Sequence, residues 1–140
     1  MKPNFSSKFT ILVAVIQLFA LNVFGQDNID ISAKKLKGKV GINNKFEGYI
    51  SLEDILNSPK LSFIDTNDTK YKIIGFRMTL IAPGLDSIEL ENIQNGDLTE
   101  SMIRAIRKHS FKAHLFFDNI KCVDEKQILY DIDDIDLRIK

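Results

Sequence analysis

The chain has 140 residues, with 19 basic and 19 acidic side chains and a single cysteine. That length suits one domain with its own core. The balanced charge gives no electrostatic case for nucleic acid or an anionic membrane surface, and one cysteine cannot make an intrachain disulfide.

The first 25 residues read as a secretory signal peptide. Lys2 and Lys8 form the basic start, Phe9–Leu21 the apolar core, and Val23-Phe24-Gly25 the cleavage region, with an aliphatic residue three before and a small residue one before the cut. Cleavage between Gly25 and Gln26 is expected. The apolar run is short of the ~20 residues a spanning helix needs, and Gln17 and Asn22 interrupt it. The mature chain is therefore expected in the periplasm or outside the cell, without a membrane span. It keeps 17 basic and 19 acidic residues.

Residues 26–37 form a polar, Lys-rich leader, either loose or a first edge strand, since Lys on an edge discourages pairing with other chains. Residues 38–140 are expected to form a single β-rich domain. Val40 and Ile42 suggest a short strand, and Asn43-Asn44 a turn. Ser51-Leu52-Glu53-Asp54 resembles a capping box with Asp in place of Glu, and Pro59 limits the helix to one or two turns. Leu61 and Phe63 alternate with Ser62 as a strand. Asp65–Thr69 is a turn cluster expected to join this strand to Tyr71–Ile81 as a hairpin, and Asn67-Asp68-Thr69 matches a glycosylation sequon.

Tyr71–Ile81 is the first central strand. Ile74, Phe76, Met78 and Leu80 are expected on a wholly apolar face, with Ile73, Gly75, Arg77 and Thr79 on the other. Gly75 in mid-strand marks a bulge or a close approach of another segment. Pro83-Gly84 suits the centre of a type II turn. Ile88 and Leu90 alternate with Glu89 and Glu91 as a strand with one wet face.

The best helix is Leu98–Lys108, capped by Asp97, with Leu98, Met102, Ala105 and Ile106 as its apolar stripe. Glu100 and Arg104 are spaced for an ion pair. Lys112–Val123 is the second central strand. Its Leu115-Phe116-Phe117 run implies burial on both faces. Cys122 in this strand reads as a small buried hydrophobe. Ile128, Tyr130 and Ile132 alternate in one phase, and Ile135, Leu137 and Ile139 in the other. A bulge or tight turn at Asp133-Asp134 accounts for the slip. The expected fold is mainly β, antiparallel and sandwich-like, with one short α-helix at about 98–108.

Asp131, Asp133, Asp134 and Asp136 invite a calcium reading, but the Gly and closing Glu of an EF-hand loop are missing. Alternation with apolar residues makes them the outward face of a strand. His109, His114 and Cys122 match no common zinc spacing. The chain has no G-x-S-x-G, Walker A, dinucleotide or H-E-x-x-H motif. No cofactor, metal or catalytic residue is expected. The alternative is a small periplasmic enzyme or ligand binder using His114 and the Asp131–Asp136 acids.

Three stretches carry a resemblance. They are Tyr71-Lys72-Ile73-Ile74-Gly75-Phe76-Arg77-Met78, Asn95-Gly96 leading into the helix with Met102 and Ile106, and Phe116-Phe117-Asp118-Asn119-Ile120-Lys121. With the closing Ile135–Ile139 strand, residues 38–139 resemble the C-terminal domain of GldM (PorM), a periplasmic component of gliding-motility and type IX secretion machinery. The chain departs from the family pattern in having Ser110-Phe111 before the aromatic strand and Asp124-Glu125-Lys126 after it. It is also expected to lack the membrane helix and preceding domains of a full GldM. What the resemblance implies is a non-catalytic protein-interaction role with cell-envelope proteins, unspecified in partner and oligomeric state.

Overall fold

A computed structural model describes residues 33–64 and 70–140. The expected cleavage site at Gly25-Gln26 and the Asn67 sequon lie outside the described residues. Residues 33–140 form one unit. They are mainly β, with nine strands and two helices among the described residues. No helix among them is long and apolar enough to cross a membrane.

In chain order the strands are β1 (Lys34–Leu36), β2 (Lys39–Ile42), β3 (Gly48–Ile50), β4 (Leu61–Ile64), β5 (Lys72–Ile81), β6 (Ile88–Asn92), β7 (His114–Val123), β8 (Leu129–Ile132) and β9 (Ile135–Ile139). The helices are α1 (Leu52–Asn57) and α2 (Glu100–His109). Seven strands make one mixed sheet, and β2 and β4 pair as a separate antiparallel ribbon, so β4 does not form the expected hairpin with β5, whose two sides are taken by β6 and β7. At the sheet's centre, β5 and β7 run antiparallel. Beyond β5 lies β6. On the far side of β7, β8 takes its C-terminal half and β9 its N-terminal half. Two short parallel strands close that side, β1 beside β8 and β3 beside β9. The leader thus contributes an edge strand at Lys34–Leu36.

The local chemistry explains the connections. Asn43 and Asn44 both have positive φ, and Ile42 and Lys45 exchange backbone hydrogen bonds, as a two-residue hairpin turn of the primed type requires. After β5, the Leu85 N–H donates to the Ala82 carbonyl and Gly84 sits at φ 74°, so Pro83-Gly84 occupies the centre of a type II turn. Ser51 caps α1 by accepting the Asp54 N–H at 3.0 Å, and its hydroxyl donates to the Asp54 carboxylate at 2.7 Å. That hydroxyl contact holds the Asp54 carboxyl below its ordinary range.

Helix α2 starts later than its sequence suggests. Its cap is Thr99, whose Oγ1 accepts the Met102 N–H at 3.3 Å. Asp97 is committed elsewhere. Its N–H donates to Asn95 Oδ1, its carbonyl accepts from Asn92 Nδ2, and its backbone pairs antiparallel with that of Lys60. Extended pairing with the Pro59–Leu61 segment therefore holds Asp97-Leu98 out of the helix. Leu98, Met102 and Ile106 are buried, and Glu100 pairs with Arg104 at 3.0 Å.

The core covers one face of the sheet. Phe76, Met78, Leu80, Leu115 and Phe117 are buried there with Cys122, Ile132 and Leu137, and the Phe76 and Phe117 rings lie 5.8 Å apart. The alternation is interrupted along one line across three strands. Core-facing residues jump from Ile73 to Phe76, from Phe117 to Ile120, and from Ile132 to Ile135. The β5–β7 register slips between Ile73 and Gly75 and returns between Gly75 and Arg77. Asn119, with φ 50°, supplies the extra residue on β7. The Asp133-Asp134 break between β8 and β9 lies level with it. The sheet is thus creased. Ile73, expected on the mixed face of β5, is buried, and Ile74 is only partly covered. A side chain at Gly75 would meet the Asn92 carbonyl at 3.0 Å, so the glycine serves both the bulge and a close backbone approach.

Candidate interaction surface

The opposite face of the sheet is uncovered among the described residues. Strand registers place its side chains in three rows. One row runs Glu89, Thr79, Phe116, Asp136, and another Glu91, Arg77, Asp118. The third runs Ile81, His114, Arg138, Tyr49. Tyr49, Ile81 and Phe116 are 60%, 49% and 38% exposed. They put apolar surface on a face otherwise lined by polar and charged groups. The Leu115-Phe116-Phe117 run is therefore not buried on both sides. Leu115 and Phe117 face the core, and Phe116 faces outward.

The charges on this face are organised. Arg77 donates to both oxygens of Asp118, from Nε at 2.7 Å and Nη2 at 2.8 Å. This two-pronged geometry raises the Arg77 pKa and keeps it charged. His114 Nδ1 lies 3.6 Å from Asp136 Oδ1, an atom shielded from solvent with no hydrogen-bond partner among the described residues.

Of the acids of the closing strands, Asp131, Asp133 and Asp134 border one hollow, and Asp136 does not. Asp131 meets Lys121, Asp133 meets Lys35 at 2.7 Å, and Asp136 lies nearest His114. The Asp133 contact raises the Lys35 pKa. No group of three or more His, Cys, Asp or Glu among the described residues is placed to hold a metal. His114 and His109 lie apart, on β7 and at the end of α2. Cys122 is fully buried on the core face. Burial pushes its thiol up to about 11, which suppresses the reactive thiolate.

Two larger hollows lie elsewhere. One, of about 520 Å³, is bordered by Lys60, Phe63, Tyr71, Gln94 and Asp97. The other, of about 490 Å³, lies over the Lys121–Asp131 and Lys35–Asp133 pairs. Neither includes His114. Tyr49 and Ile81 are surface residues that no pattern in the sequence singles out. Phe116 left a trace, because three successive apolar residues in a strand must put one of them on the opposite face.

No protein-family model matches the chain, and a search of curated proteins finds no match.

Proposed function

We propose that this protein is a non-catalytic protein-interaction domain of the bacterial cell envelope, exported by a cleaved signal peptide and akin in role to the GldM C-terminal domain. The observation that carries this reading is the uncovered sheet face, where Tyr49, Ile81 and Phe116 expose apolar surface between organised charges. Lys121 and Lys35 engage Asp131 and Asp133, and His114 lies outside the hollow that these acids border, which supports it further. Gliding motility and type IX secretion are the settings the GldM resemblance suggests. The test is crosslinking in the native host followed by recovery of the tagged mature chain. Specific recovery of envelope proteins is expected. If the purified chain turns over a small molecule, and His114→Ala abolishes that turnover in a folded protein, the reading fails.

A further inference from the structure

Among the edge strands of the seven-stranded sheet, β6 is the longest. It has five residues, against three each for β1 and β3, and among the described residues it pairs only with β5. An edge strand turns alternate N–H and C=O groups outward without partners. The side chains of β6 are sorted by face. Glu89 and Glu91 are exposed on the outer face, while Ile88 and Leu90 pack against the core yet remain only partly covered.

The surrounding sequence is uniformly acidic. From Met78 to Ile103 there is no Lys, Arg or His, but there are five acids: Asp86, Glu89, Glu91, Asp97 and Glu100. The nearest cation on the adjoining strand, Arg77, is already engaged by both oxygens of Asp118. Just past the strand, Ile93 is 82% exposed, the most exposed of the large hydrophobic residues described. It borders a depression of about 140 Å³ at the crease, with Ile74, Glu91 and Lys121, the last already paired with Asp131.

We propose that the open edge of β6 docks an extended segment of a partner protein that alternates apolar and basic residues and adds to the sheet as a further strand. This deepens the interaction reading and rests on it. The partner's backbone satisfies the outward groups of β6. Its Lys or Arg side chains lie opposite Glu89 and Glu91, the favourable cross-strand pairing. Its apolar side chains lie beside Ile88 and Leu90, and one at the end meets Ile93. A second copy of this chain does not suit the site, since an antiparallel β6–β6 pair would bring Glu against Glu. Carboxylates on an edge also deter aggregation by themselves. That role leaves the exposed Ile93 and the incompletely covered Ile88 and Leu90 without a purpose.

The test uses the mature chain and a synthetic ten-residue peptide of alternating Val and Lys, with an alternating Val and Glu peptide as control. Binding is followed by amide hydrogen exchange. The Val–Lys peptide is expected to bind saturably, to slow exchange within residues 88–92, and to weaken as salt rises. Glu89→Lys with Glu91→Lys should weaken it at least about tenfold, and Glu89→Gln with Glu91→Gln by less. Both positions are exposed, so these variants should fold. Equal binding by the Lys variant, equal binding of the Val–Glu peptide, protection confined to other strands, or no binding at all overturns the proposal. So does a dimer of the chain paired through β6. If host crosslinking recovers envelope proteins equally from wild type and the Lys variant, the edge assignment fails while the interaction reading stands. If it recovers none from wild type, the interaction reading itself fails.

Discussion

The two faces of the central strand pair are built from neighbouring residues and meet opposite fates. On β5 and β7, Met78, Leu80, Leu115 and Phe117 are fully buried, while Thr79, Ile81, His114 and Phe116 point the other way and stay partly or well exposed. Backbone, hydrogen bonding and register are shared. What differs is the cover. Helix α2 packs against β5 and β6 on the core side, and the outer rows have no such layer among the described residues. Burial stabilises in proportion to the apolar area removed from water, so the core face carries the stability. The outer face keeps its apolar groups without drawing much stability from them.

The largest expected effect breaks the covered face. Phe117 is fully buried against Phe76 and sits opposite Met78. Phe117→Ala should cost about 3–5 kcal/mol through lost transfer energy and a cavity. Denaturant melts check it, and a loss under about 1 kcal/mol would mean that this face does not hold the fold.

The covered face was largely legible in the sequence, because alternation of apolar residues is a local signal. Met78, Leu80, Leu115 and Phe117 lie where their periodicity puts them, and the Asn43-Asn44 and Pro83-Gly84 turns follow from residues that accept positive φ. The phase slip at Asp133-Asp134 was also legible, because polar residues there interrupt two clean alternations. The matching slips in β5 and β7 were not. Ile73 and Ile74 are equally apolar, so nothing marks which one faces inward, and Asn119 is a single polar residue in a long run. Helix α2 begins at Glu100 rather than Leu98 because pairing with the Pro59–Leu61 segment outweighs the capping preference of Asp97. The parallel pairings of β1 and β3 are non-local and leave no mark in either strand. The outer surface was the least legible part. Its rows join Tyr49, Ile81 and Phe116 from three strands far apart in the chain.

A smaller effect sharpens the contrast through pH. Burial on the core face pushes the Cys122 thiol from its ordinary 9.0 up to about 11, and the charges of Asp124 and Asp131 add to the shift. The folded state therefore keeps its proton where the unfolded state loses it. The associated stability is fully present below pH 9 and is lost as pH rises from 9 to 11. At pH 10 the loss should be about 1.4 kcal/mol, one unit's worth. Tyr130, paired with Cys122 across the strands, also has a raised pKa, chiefly from burial. The informative quantity is thus the difference between wild type and Cys122→Ala. Denaturation at pH 8 and pH 10 should show a smaller alkaline loss in the variant. An equal loss in both proteins would show that the thiol is not sheltered.

The smallest effect is expected on the outer face, and it tests whether that face is free of a structural duty. Phe116 neighbours Phe117 in sequence, lies in the same strand and is paired by register with Thr79 and Asp136. With 38% of its surface exposed it still covers part of those neighbours, so its removal should not be silent. It leaves no sealed cavity, however, because water can replace the ring. Phe116→Ala should therefore cost about 1 kcal/mol or less, several-fold below the same truncation one residue on. Parallel denaturant melts of the two variants measure the ratio directly. A comparable loss in both would mean that Phe116 is held in a second core, and the open-face account of this protein would fall with it. A small loss at Phe116 with a large one at Phe117 leaves an aromatic group whose exposure stability does not explain, as a recognition surface requires.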